Sequence, residues 1–104
     1  MKGKYLKIYV NRMKKHRGIL LYEWLLEKAK EQGLPGGSAF QAIAGFGMHG
    51  VLHEEHFYEL GGNVPVMVCF VVSDEQGEAF LSFLKKEKVE AFYHIHPTEY
   101  EHLH

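Results

Sequence analysis

The sequence predicts a small α+β domain with the element order β-α-β-β-α-β, and three observations carry that prediction. Lys4 to Val10 alternates, with Leu6, Ile8 and Val10 on one side and Tyr5, Lys7 and Tyr9 on the other, the period of a half-buried strand. Two later windows, one from Ile19 to Gln32 and one opening after Ser73, repeat apolar residues at helical spacing. The remaining apolar runs are short, as strands are.

Taken in order, the first strand is followed by a basic loop, Lys14-Lys15-His16-Arg17-Gly18. The first helix turns Leu21, Trp24, Leu25 and Ala29 to one side and most of its charges to the other. Gly33 suits a left-handed cap, and Pro35 prevents the helix from resuming. A second strand is expected from about Ser38 to Gly45. The long connection from Phe46 to Gly62 has no strong period, and connections of that length inside a domain are often functional. The third strand, Val64 to Val72, is apolar on both faces. Ser73 and Gln76 have the form of a capping box, opening a helix that runs to about Lys86 with Phe80 and Leu84 inward. The last strand is expected from Val89 to His96, ended by Pro97.

Composition sets limits on function. The chain has 104 residues, 46% hydrophobic and 24% charged, with a formal net charge of -1, which is ordinary globular composition. That balance gives no reason to expect nucleic acid held by bulk charge. No apolar run reaches the roughly 18 to 20 residues that cross a bilayer, so the chain is expected not to be membrane-embedded. A single cysteine, Cys69, excludes an internal disulfide framework and suits a reducing compartment, so the cytoplasm is the expected location.

Two helices cannot cover both faces of a four-stranded sheet. In a ferredoxin-like arrangement both lie on one face, leaving the other to expose third-strand residues together with Tyr5, Tyr9 and Phe92. An apolar face of that size marks an interface, and burying it against sister subunits with cyclic symmetry is the simplest solution.

Several motifs then carry a resemblance. The run Glu31 to Gly47, with its glycine turn at Gly33 and its Gly45-Phe46-Gly47, resembles the PII signalling superfamily, in which Gly-Phe-Gly lies at the base of a long T-loop between strands two and three. The whole chain looks like the PII-like family known as domain of unknown function 190. The matching features are Leu-Lys-Ile-Tyr at Leu6 to Tyr9, Leu-Tyr-Glu at Leu21 to Glu23 and Val-Pro-Val at Val64 to Val66. The resemblance implies a homotrimer with its sheets facing the centre and small effectors bound in clefts between subunits. It also implies that the 46–62 loop engages a protein partner, often a membrane transporter in the superfamily. An adenine nucleotide is the effector it suggests, with Gly45, Phe46, Gly47, Met48 and Lys88 as candidate contacts. Glycine at positions 45 and 47 would let the backbone approach the ligand in conformations other residues resist. The chain departs from well-characterised PII proteins in having Met48 and His49 where they have Arg-Gln. It also lacks their Gly-Asp-Gly-Lys phosphate loop, the corresponding stretch being Lys86 to Glu90. A nucleotide with fewer phosphates than ATP is the form left open.

The eight histidines suggest a second chemistry. His49, His53 and His56 have the spacing i, i+4, i+7, which on a helix puts three imidazoles on one face, a donor set for zinc or copper. The competing reading is a solvated polar loop. His94 and His96 share a face of the last strand, where packing and metal clipping between subunits are both open. The basic loop Lys14 to Arg17 and the cluster Lys85, Lys86 and Lys88 either face a phosphate or are solvated surface. Catalysis has little support. His53 to His56 reads HEEH rather than HExxH, Cys69 sits inside an apolar strand, and no P-loop or nucleophile elbow is present. The expectation is a non-enzymatic regulator, with a metal-binding trimer akin in fold to the copper-tolerance CutA proteins as the alternative.

Overall fold

A computed structural model describes residues 1–45 and 64–103. In chain order it contains β1 (Lys2–Asn11), β2 (Lys15–His16), β3 (Ile19–Leu20), α1 (Leu21–Glu31), β4 (Gly37–Gln41), β5 (Pro65–Val72), α2 (Asp74–Lys86) and β6 (Phe92–Glu99). Four strands form an antiparallel sheet in the order β4-β5-β1-β6, and β2 pairs with β3 as a separate ribbon. The ferredoxin-like α+β plan is therefore present, with a ribbon added ahead of the first helix.

Register explains how the alternation of β1 becomes two faces. Leu6 lies opposite Phe70 and Ile95, Ile8 opposite Val68 and Tyr93, and Val10 opposite Val66. Leu6, Ile8, Val10, Val66, Val68, Phe70 and Val72 are buried in one cluster with Leu21, Trp24 and Leu25 of α1 and Phe80 and Leu84 of α2. Each fully buried side chain of this kind contributes about 1.5–3 kcal/mol. Both helices thus cover one face. The other face presents Tyr5, Lys7 and Tyr9 beside Met67, Cys69 and Val71, with Phe92, His94 and His96 on one flank and Ser38 and Phe40 on the other. Among the described residues no helix covers this face, the arrangement expected from sequence.

Four boundaries differ from the sequence reading. The basic loop is a hairpin: Arg17 and Gly18 have φ of 53° and 82°, the two positive angles that a type I′ turn requires, so Ile19 and Leu20 belong to β3 and α1 begins at Leu21. β4 ends at Gln41 rather than Gly45. The amide of Ala42 donates to the Pro65 carbonyl, but Pro65 has no N–H to extend the ladder. Val89 is taken up in closing α2, so β6 starts at Phe92. Pro97 does not end β6, because β6 is an edge strand and edge strands tolerate proline.

The helix ends follow local rules. At the start of α2, the Gln76 amide donates to Ser73 Oγ (3.1 Å) and the Ser73 amide donates to Gln76 Oε1 (2.9 Å), completing the expected capping box. At the end of α1, the amides of Gly33 and Leu34 donate to the carbonyls of Lys30 and Ala29, a Schellman closure with Gly33 at φ 81°. α2 closes in the same way, the amides of Lys88 and Val89 donating to Lys85 and Leu84, with Lys88 at φ 61°.

Candidate functional site

The strand directions gather charge at one end of the sheet. β1 and β4 finish there, β5 and β6 begin there, and α2, which reverses the direction of β5, ends there. The ribbon β2–β3 is held against this end by side chains. The His16 ring lies 4.3 Å from that of Trp24, and Trp24 stacks on Phe83 of α2 at 5.8 Å and 13°. Lys14 Nζ donates to the Glu90 carbonyl at 2.8 Å. Arg17 Nε donates to Glu87 Oε1 at 3.0 Å, and His16 Nε2 stands 3.5 Å from the same oxygen. Desolvation alone would push the Glu87 carboxyl up, but the hydrogen bonds from His16 and Arg17 outweigh it and hold the group below its ordinary range.

The two basic clusters that looked separate in sequence, Lys14 to Arg17 and Lys85 to Lys88, therefore meet at one corner, bridged by Glu87. Arg12 follows β1 at the same end, and its buried Nε has no hydrogen-bond partner among the described residues. Sequence reasoning passed over Arg12. The available signal was its place, one residue beyond an alternating strand and just ahead of the basic loop.

Of the candidate nucleotide contacts, Gly45 and Lys88 are described, and both lie at this end. Lys88 is exposed and takes the left-handed conformation. Gly45 is half-buried, follows β4 and does not have positive φ; a Cβ placed on it would stand 3.8 Å from Pro65 Cγ, an ordinary contact. The expectation that glycine is needed there for an unusual backbone conformation is not met at position 45. Phe46, Gly47 and Met48 lie outside the described residues, as do the candidate metal ligands His49, His53 and His56.

The uncovered sheet face is aromatic. Tyr9 stacks on His94 (5.5 Å, 23°), its hydroxyl 3.0 Å from His94 Nε2, and His94 stacks on His96 (5.8 Å, 13°). Tyr5 packs beside His96, and Lys7 Nζ sits 4.8 Å from the Tyr5 ring centre. The neighbouring Cys69 and, to a smaller degree, desolvation raise the Tyr5 phenol above its ordinary value. At the opposite end of the sheet from the cationic corner, an open hollow of about 460 Å³ is lined by Tyr5, Gly36, Phe40, Cys69 and Tyr100. Among the described residues, no helix is long and apolar enough to cross a membrane.

A four-stranded antiparallel sheet with two helices on one face is the ferredoxin-like plan, here with a long connection between the second and third sheet strands along the chain. Among the solved structures that share this fold are two PII-like proteins. One is a protein from Thermus thermophilus described as PII-like signalling, with TM-score 0.66 and 18% identity, covering 94% of this chain and 88% of that one. The other is CPII, a nitrogen regulatory PII-like protein from Thiomonas intermedia K12 bound to ADP, AMP and bicarbonate. Its TM-score is 0.61 at 18% identity, with 99% of this chain and 97% of that one covered. The chain itself belongs to the family of domain of unknown function 190, described as "Uncharacterized ACR", whose model matches residues 3–100. A curated relative, a "UPF0166 protein" of Aquifex aeolicus (strain VF5), is 34% identical over 85 residues, 82% of this chain and 81% of the relative.

Proposed function

We propose that this chain is a ligand-sensing regulator and not an enzyme. In this reading it assembles as a homotrimer, takes an adenine nucleotide with one or two phosphates at the cationic end of the sheet, and reports occupancy to a protein partner through residues 46–62. The partner class is that of the superfamily, a membrane transporter or another protein. The observation that carries the reading is the convergence of Arg12, Lys14, Arg17 and Lys88 on the end where β4 leads into the Gly45-Phe46-Gly47 segment. A buried guanidinium nitrogen without a partner is costly, and an anion is what satisfies it. The bound ADP and AMP of CPII, a protein of the same fold, support the choice of nucleotide. The aromatic face supports assembly, because Tyr5, Tyr9, Met67 and Phe92 together form an apolar surface that a second copy would cover.

Calorimetric titration with AMP, ADP and ATP, with and without magnesium, tests the effector. AMP or ADP should bind and raise the melting temperature, since a ligand specific to the folded state stabilises it. Arg12→Gln should weaken that binding by roughly tenfold, the size expected for losing one charge-assisted hydrogen bond. Absence of heat and of a melting shift at millimolar nucleotide rules the effector out. A monomer mass by light scattering at micromolar protein rules out the assembly.

A further inference from the structure

Glu87 stands where a carboxylate is disfavoured. It is the C-cap residue of α2, beside the partial negative charge of a helix end, and the last turn already carries Lys85 and Lys86, the residue type such an end favours. Its Oε1 nevertheless accepts from Arg17 Nε at 3.0 Å and stands 3.5 Å from His16 Nε2. Holding the ribbon in place does not require this contact. The Leu21 amide donates to the Lys14 carbonyl at 2.8 Å, and Lys14 Nζ donates to the Glu90 carbonyl at 2.8 Å. The His16 ring packs 4.3 Å from that of Trp24. These three contacts fasten β2 and β3 without the carboxylate. What Glu87 adds is a counter-charge on Arg17. The two partners differ in their freedom: the Arg17 side chain is 68% exposed and that of Glu87 is 25% exposed. The carboxylate is thus the fixed member, and the guanidinium has room to turn outward.

We propose that Glu87 is a resident counter-anion of the cationic corner, holding Arg17 until a ligand phosphate displaces it. An ion pair so open to water holds weakly. A phosphate carries more charge and is gripped by a guanidinium through two parallel N–H bonds, whereas Glu87 receives one such bond from Arg17. A phosphate that takes the Nε edge of Arg17 must remove the carboxylate from it, and like-charge repulsion opposes any other approach while Glu87 stays. The exchange makes the corner selective: phosphate competes with a carboxylate for a guanidinium, and an uncharged nucleoside does not. This lock rests on the nucleotide site proposed above and adds to it a residue that sets the strength of binding from inside the chain.

The test is calorimetry of the whole chain with ADP at constant pH and ionic strength, in the unaltered protein and in four variants: Glu87→Gln, Arg17→Gln, the two combined, and Glu90→Gln. Glu87→Gln should tighten ADP binding by about fivefold, the upper range for an exposed ion pair. Arg17→Gln should weaken it by about tenfold. In that background Glu87→Gln should change nothing further, because no guanidinium is left to release. Glu90→Gln removes a charge of the same sign from the same stretch, and among the described residues Glu90 makes no ion pair with Arg17, so its gain should stay under about twofold. Equal gains from Glu87→Gln and Glu90→Gln, or a gain from Glu87→Gln that persists without Arg17, would reveal a general field effect and overturn the lock. If the unaltered chain binds ADP and Glu87→Gln binds it equally or more weakly, the lock fails and the nucleotide site stands. If neither binds ADP, both fail.

Discussion

Helices α1 and α2 close with the same pair of backbone bonds, and the difference lies in the residue at the left-handed position: Gly33 at φ 81° in one, Lys88 at φ 61° in the other. For a residue with a Cβ that conformation costs about 1–2 kcal/mol, a cost glycine avoids. The end of α1 is thus a stop built for stability. The end of α2 tolerates strain and carries a cation, beside a second strained cation, Arg17 at φ 53°, with Glu87 between them. Strain kept at a charged corner, when the closure at the far end of the sheet shows the relaxed alternative, is the pattern found at ligand sites.

Exchanging the two residues tests the contrast. Gly33→Lys should cost about 1–2 kcal/mol in denaturant unfolding, because the left-handed turn is retained while a Cβ is added. A loss below the error of the measurement would mean that the closure is not under strain at all. Lys88→Gly should stabilise the protein by about 0.5–1 kcal/mol, less than the strain relieved, since glycine also gives the unfolded chain more freedom. If Lys88 supplies counter-charge to a nucleotide, the same variant should bind AMP more weakly, so stability and affinity would move in opposite directions. The smallest effect belongs to Glu87. Its carboxyl is held low by His16 and Arg17, so its contribution is present above the ordinary carboxylate range and is lost as pH falls through the folded value. Glu87→Gln should therefore reduce the acid dependence of the melting temperature slightly, and equal acid profiles would show that the bridge to the hairpin adds nothing.

Much of this was legible in sequence, and particular residues show why. Leu6, Ile8 and Val10 alternate because one face of β1 is buried, and Ser73 and Gln76 form the expected cap because capping is local. The uncovered face, with Tyr5, Tyr9 and Phe92, followed from two helices and four strands. What was missed depends on distant partners. Pro97 reads as a strand end, and only the position of β6 at the sheet edge lets the strand continue through it. Arg17-Gly18 reads as loop, because a two-residue turn between two-residue strands leaves no period to detect. The convergence of Lys14 and Arg17 with Lys88 is tertiary, set by α2 ending where β1 ends, and no spacing along the chain encodes it.

The position of β1 in the sheet also constrains how the molecule forms. β1 is made first yet lies between β5 and β6, so that Leu6 pairs with both Phe70 and Ile95. No neighbouring segment offers it an early partner. Its hydrogen-bonding edges must wait until the strand beginning at Pro65 has emerged, and the central three-strand unit exists only once β6 is complete. Pairings this far apart make folding slow relative to a helical bundle of similar length, because loop closure precedes any gain from contact. During synthesis, Leu6, Ile8 and Val10 are therefore the residues for which a chaperone would compete.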